Sequence, residues 1–255
     1  MADRRLRVLG GLAGLAGPLA FTASWAASSL LQTGHGATEV QISGLAAPDA
    51  RDPWIMITGF LALGACSAVF GTALHRELGG SGREGREGQA GREGRAEREA
   101  REGRKAREGR KAREGRKARE GRAGAGPRLI QAAGLLVVAA GLLRRDQMLL
   151  TAPAHESWHN HAHDVVSAGI YVALVAAPLL LARRFRGDQR WSALRWPLAG
   201  ASLVTAAVLV VFFTGAFSSW AGLLQRIGVS VPLAAVCAVA ARLLALGREP
   251  QPGGC

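Results

Sequence analysis

Apolar and polar positions alternate in blocks along this chain rather than within short segments. Val8 to Gly34, Trp54 to Leu74, Val165 to Ala182 and Trp196 to Gln225 contain no Asp, Glu, Lys or Arg. Uncharged runs of this length exceed what a helix inside a water-soluble core needs, and they suit a hydrocarbon layer about 30 Å thick. Lipid admits only helices or closed barrels, because backbone N–H and C=O groups find no water there. The pattern predicts six membrane helices, at about 8–30, 54–75, 128–144, 159–182, 196–216 and 220–244. Two spans are less regular than the others. The third rests on a short apolar run, Leu129 to Leu143, and the sixth carries Arg226 near its start, where a long side chain can lift its charge to the interface. The uncharged stretch from Trp196 to Gln225 is longer than one crossing, and Gly215, Ser218 and Ser219 offer the turn of a tight helical hairpin.

The expected fold is therefore an all-α integral membrane protein, a bundle of about six transmembrane helices. Residues 1–75 hold helices one and two, 76–126 form a loop, 127–246 hold helices three to six, and 247–255 form a short tail. Arg4, Arg5 and Arg7 ahead of the first apolar run resemble the start of a signal peptide with a small-residue site near Ala26. The uncharged run is too long for that, which favours a retained first helix. Trp54, Trp158, Trp191, Trp196 and Trp220 all fall near span ends, where indole prefers the interface.

Charge adds direction. The net charge is +13, and with six crossings all but Arg51, Arg144, Arg145 and Arg226 of the 32 Lys and Arg fall on the side of the two termini. The positive-inside bias then sets both termini in the cytoplasm of a cell whose inner membrane houses the protein. Residues 76–126 alone hold 17 Lys or Arg against 10 Glu. Within them Ala-Arg-Glu-Gly-Arg-Lys repeats three times from Ala100. Six is not a helical period, a Gly in every unit disfavours helix, and no apolar stripe exists to bury, so a solvated, low-complexity, disordered cytoplasmic loop is expected. Beside a bilayer, Arg104, Lys105, Arg110, Lys111, Arg116 and Lys117 are placed to meet anionic lipid head groups. Nucleic acid is not expected as a partner. Cys66, Cys237 and Cys255 make an odd set with no pairing pattern, so no disulfide framework is implied.

One constellation could carry chemistry. Four of the six histidines, His155, His159, His161 and His163, lie within nine residues together with Glu156 and Asp164. On a helix, His159 and His163 at i and i+4 share a face and could hold a divalent metal, with a third ligand drawn from Asp146, Asp49, Asp52 or Glu39. The same residues also suit an acid-base or polar-ligand role, or a structural one in which imidazoles cap the helix and bond nearby carbonyls. Gly10, Gly14 and Gly17 put small residues along helix one, as close helix packing requires.

Gln41-Ile42-Ser43-Gly44-Leu45, Pro53-Trp54-Ile55-Met56-Ile57-Thr58-Gly59, Asp146 after span three, and Ser157-Trp158-His159 with His163 stand in an order similar to bacterial membrane proteins grouped as domain of unknown function 998. Where that pattern usually carries Phe-Pro before the acid, this chain reads Arg144-Arg145. The resemblance implies a bundle of about six helices and no assigned activity. The candidate polar site is Ser43, Asp146, His159, His163 and Asp164. Three functions compete for it: binding of a small polar or lipidic ligand, metal-dependent hydrolysis, and small-molecule transport.

Overall fold

The computed structural model describes residues 2–33, 36–80, 124–146 and 157–248. The repeat tract with Arg104, Lys105, Arg110, Lys111, Arg116 and Lys117, and also His155 and Glu156, lie outside the described residues. Six helices account for most of the rest: α1 (Ala2–Leu31), α2 (Pro53–Gly80), α3 (Ala125–Leu142), α4 (Trp158–Arg184), α5 (Arg195–Thr214) and α6 (Ala221–Arg248). Each is long and apolar enough to cross a membrane. The third span gains length at its start, where the helix begins at Ala125, ahead of the apolar run. At 18 residues it rises about 27 Å, close to the hydrocarbon thickness. Between α5 and α6 the expected hairpin turn is present: Gly215 closes α5 in the left-handed conformation, with φ of 67°, and Ser218–Trp220 form a 3₁₀ turn.

The helices form a closed ring in chain order. Each packs on its sequence neighbours, and α6 returns to α1. Arg4 Nε donates to the Gly247 carbonyl at 3.0 Å, so both ends of the described chain meet at one end of the ring, here the terminal end. The opposite, distal end carries the connections α1–α2, α3–α4 and α5–α6. Outward side chains are apolar, Leu203 being 72% exposed and Leu19, Leu30 and Val165 similarly open, which is a surface suited to lipid and not to water.

Helix contacts depend on small residues. Gly10 faces Ala73, Gly14 faces Phe70 and Ala240, and Gly17 faces Cys66, as the glycine stripe predicts. At the crossing of α2 and α3 a Cβ at Gly64 would stand 2.5 Å from the Gly134 carbonyl oxygen, and one at Gly134 2.6 Å from that of Gly64. Backbone meets backbone there, so no flexible side chain can give way.

At the terminal end a core of Phe70, Leu74, Leu181, Phe185, Leu198 and Leu243 fills the ring. Trp191 belongs to it. Its ring stacks on Phe185 at 4.9 Å and is fully buried, which corrects the expectation of an interfacial indole. Trp54, Trp158, Trp196 and Trp220 are exposed near helix ends as expected. Around this core the buried Glu77 carboxylate meets Arg7 at 2.6 Å and Arg190 at 3.1 Å, tying α1, α2 and the α4–α5 connection together. Arg190 also pairs with Asp188 at 3.1 Å. Burial works against ionisation of Asp188, but the hydrogen bonds and charge of Arg190 prevail and hold its carboxyl below the usual range.

Gly64→Val or Gly134→Val should separate α2 from α3, at a cost of about 1–3 kcal/mol. In detergent, thermal-shift measurement should show a clear fall in melting temperature for either variant, whereas Gly200→Val, at a position open to space, should melt like the parent.

Candidate functional site

Construction of the distal end starts from the cap of α4. The Ser157 hydroxyl accepts a hydrogen bond from the Asn160 backbone N–H at 3.3 Å, the arrangement expected of an N-cap serine. Asp146 fixes that serine from the preceding connection, its carboxylate accepting from the Ser157 N–H at 2.8 Å and from the hydroxyl at 2.6 Å. These two bonds, side chain first, hold the Asp146 carboxyl below its ordinary 3.8. With the start of α4 fixed, helical spacing puts Asn160, His163, Asp164, Ser167 and Tyr171 on one face, Asn160 and His163 buried and Asp164 exposed at its edge. Trp158, His159 and His161 are left exposed.

Arg145 organises the inward stripe. Its Nε donates to Asn160 Oδ1 at 3.2 Å, one Nη donates to Gln41 Oε1 at 3.2 Å, and the other pairs with Asp164 at 3.3 Å. His163 is 3% exposed. Its Nδ1 lies 3.1 Å from the Ala140 carbonyl oxygen and 2.6 Å from that of Leu143, so Nδ1 carries a proton, and in the neutral ring Nε2 is the lone-pair acceptor. Of the readings open to the histidines, the one in which an imidazole bonds nearby carbonyls describes this nitrogen.

The connection between α1 and α2 is drawn into the ring. Its 3₁₀ turn, Ile42–Ala46, is buried throughout, and α6 holds it there. Gln225 accepts from the Ile42 N–H and donates to the Tyr171 hydroxyl at 2.6 Å. Arg226 donates to the Val40 carbonyl at 2.7 Å and the Ser29 hydroxyl at 2.8 Å, and its guanidinium stands 5.4 Å from the Trp25 ring centre. At 6% exposed, Arg226 does not reach up to the interface as expected; the loop's carbonyl gives it a nearer partner. Gly222 lies so close beneath the Val40 carbonyl that no Cβ fits.

These residues enclose a polar chamber of about 310 Å³, with Gln41, Ser43, Arg145, His163, Asp164 and Gln225 in its walls. Beneath it a cavity of about 60 Å³ shares Ser43, His163, Ser167, Tyr171 and Gln225 and is otherwise lined by Phe21, Phe60, Leu63 and other apolar groups. A further apolar cavity continues toward Pro178 and Pro232.

Of the five residues proposed from sequence, Ser43, His163 and Asp164 come together in the chamber. Asp146 stands behind it as the clamp on the α4 cap. His159 is exposed and stacks on Trp158 at 3.7 Å between ring centres. Among the described residues no three His, Cys, Asp or Glu gather as a metal site would require. Sequence reasoning did not single out Gln41, Arg145, Asn160, Ser167, Tyr171 or Gln225. The signal was available on α4, where polar residues recur at 160, 163, 164, 167 and 171, the spacing of one helical face.

Ser157→Ala should destabilise the protein by about 1 kcal/mol, the usual worth of such a cap. Because Asp146 ionises below its ordinary 3.8 when folded, its contribution is complete above that pH and fades as pH falls through the lower folded value. Melting temperatures taken from pH 6 downward should therefore drop less steeply for Asp146→Asn than for the parent, starting from a lower value.

Comparison with curated proteins and with solved structures gave no match. A family profile described as Protein of unknown function (DUF998) matches residues 15–91 and 112–242, covering parts of all six helices and passing over 92–111 within the repeat tract. The chain, a multi-pass membrane protein by its six apolar helices, belongs to the DUF998 family.

Proposed function

We propose that this protein binds a small polar or lipidic ligand in the distal chamber, and that it does so in the inner cell membrane with both termini cytoplasmic and the chamber facing outward. The observation that carries the reading is the chamber itself. A membrane interior disfavours charged and hydrogen-bonding side chains unless they are used. Here Arg145, Asp164 and His163 all border open space, the first two as an ion pair at 3.3 Å. Arg145 has donated from three of its nitrogens, while two N–H groups have no partner among the described residues. His163 Nε2 bonds nothing among the described residues. Such a set can orient a ligand that both donates and accepts hydrogen bonds. Orientation is supported by the cation bias, 28 of 32 Lys and Arg falling on the terminal side. Hydrolysis at a metal held by His159 and His163 gains no third ligand among the described residues, and transport gains no specific observation.

Mass spectrometry of the purified protein should reveal a co-purifying compound that Arg145→Gln reduces about ten-fold, the effect of losing a charged hydrogen bond. Retention of the same compound by Arg145→Gln at parental levels would sink the chamber as its site. For orientation, a C-terminal green fluorescent protein fusion should fluoresce and a C-terminal alkaline phosphatase fusion should be inactive; the reverse pair of results would invert the topology.

A further inference from the structure

Beside the chamber, on the outer surface of the ring, a groove of about 700 Å³ runs between α4 and α5 along Val172, Val175, Ala176, Leu209 and Val210. It faces the region that lipid occupies. Ala168, Tyr171 and Phe213 line both the groove and the chamber, so the same three side chains form the wall between the apolar groove and the polar space. The juxtaposition is that of an amphiphile: hydrocarbon outside, hydrogen-bonding groups at one end.

The chamber's charges narrow the head group. Arg145 and Asp164 supply one positive and one negative charge, 3.3 Å apart, with the Asp164 side chain 48% exposed and that of Arg145 17% exposed. An anionic head group would satisfy Arg145 but bring its charge against Asp164. A cationic one would do the reverse. A head group with a phosphate and an ammonium a few ångströms apart matches both, the phosphate taking the remaining N–H groups of Arg145 and the ammonium reaching Asp164 and the lone pair of His163 Nε2.

We infer that the chamber takes the zwitterionic head group of a phospholipid from the adjoining leaflet, with an acyl chain laid in the α4–α5 groove. The inference rests on the ligand-binding reading above and names its ligand class. Access is sideways from the bilayer past Tyr171 and Phe213, whose rings meet edge to face at 5.6 Å.

The full-length protein, reconstituted in nanodiscs of equal parts phosphatidylethanolamine and phosphatidylglycerol and released for native mass spectrometry, tests this. The parent should retain one phosphatidylethanolamine per chain with about ten-fold preference over phosphatidylglycerol. Asp164→Asn, which removes the carboxylate paired with Arg145, should shift the preference toward phosphatidylglycerol. Val172→Trp should fill the groove and lower retention of either lipid, while Leu203→Trp, elsewhere on the lipid-facing surface, should not. Equal retention of both lipids by the parent, or an unchanged pattern in both Asp164→Asn and Val172→Trp, would mean ordinary boundary lipid and overturn the proposal. Retention of a water-soluble compound dependent on Arg145, with no lipid, would also overturn it while leaving the broader ligand-binding reading intact.

Discussion

A backbone that leaves helical geometry inside a membrane protein must find partners for every N–H and C=O it exposes, because hydrocarbon offers none. The α1–α2 connection is the place where this chain meets that requirement. Its 3₁₀ turn is buried, and α6 supplies the missing partners in one turn of helix: Leu223 N–H donates to the Thr38 carbonyl at 3.0 Å, Gln225 accepts from Ile42, and Arg226 donates to Val40. In return the loop accepts an unpaired N–H from the first turn of α6, where helices always have donors to spare. Remove these bonds and the loop has no reason to stay inside the ring.

Much else at the distal end follows from that seating. With Ile42 held by Gln225, Gln41 is in place to accept from Arg145, and Ser43 forms part of the chamber wall. Gln225 also reaches Tyr171, so the loop, α6 and α4 share one chain of hydrogen bonds around the open space. Burying Arg226 in such a setting carries a large desolvation penalty. The cation offsets part of it with a carbonyl, a hydroxyl and the face of Trp25. The chamber is thus a by-product of closing the ring with a loop instead of with apolar side chains, and the terminal end, filled by Phe70, Phe185 and Trp191, shows the alternative.

Hydropathy made the helices legible because lipid enforces one solution on any long apolar run, and every span was recovered to within a few residues apart from short extensions at helix ends. Side-chain destinations were less legible. Trp191 and Arg226 were both read as interfacial from their places near span ends, yet one is packed under Phe185 and the other is bonded to a loop distant in sequence. Distance from a span end measures depth, and says nothing about whether a side chain faces lipid or the ring interior. The histidine cluster drew attention to the turn of α4 that borders the chamber. Its count of imidazoles pointed to a metal pair, whereas the chamber is lined by the helical stripe containing His163 and Asp164 but not His159.

The repeat tract illustrates why an unusual segment need not disturb the rest. It joins α2 to α3 at the terminal end, and the two helices meet there through Gly71, where a Cβ would come within 2.9 Å of the Pro127 carbonyl oxygen. That contact is set by the helices themselves. Lengthening a connection between ends already held together adds only a logarithmic entropic cost, about 0.6 kcal/mol per doubling. The family profile passes over 92–111 and resumes on either side, as expected if residues could accumulate in this connection without moving α2 against α3. The same tolerance would fail in the α1–α2 connection, where successive residues from Thr38 to Ile42 are each engaged by α6 or by Arg145 or lie between ones that are; a single inserted residue would break the register on which the chamber depends.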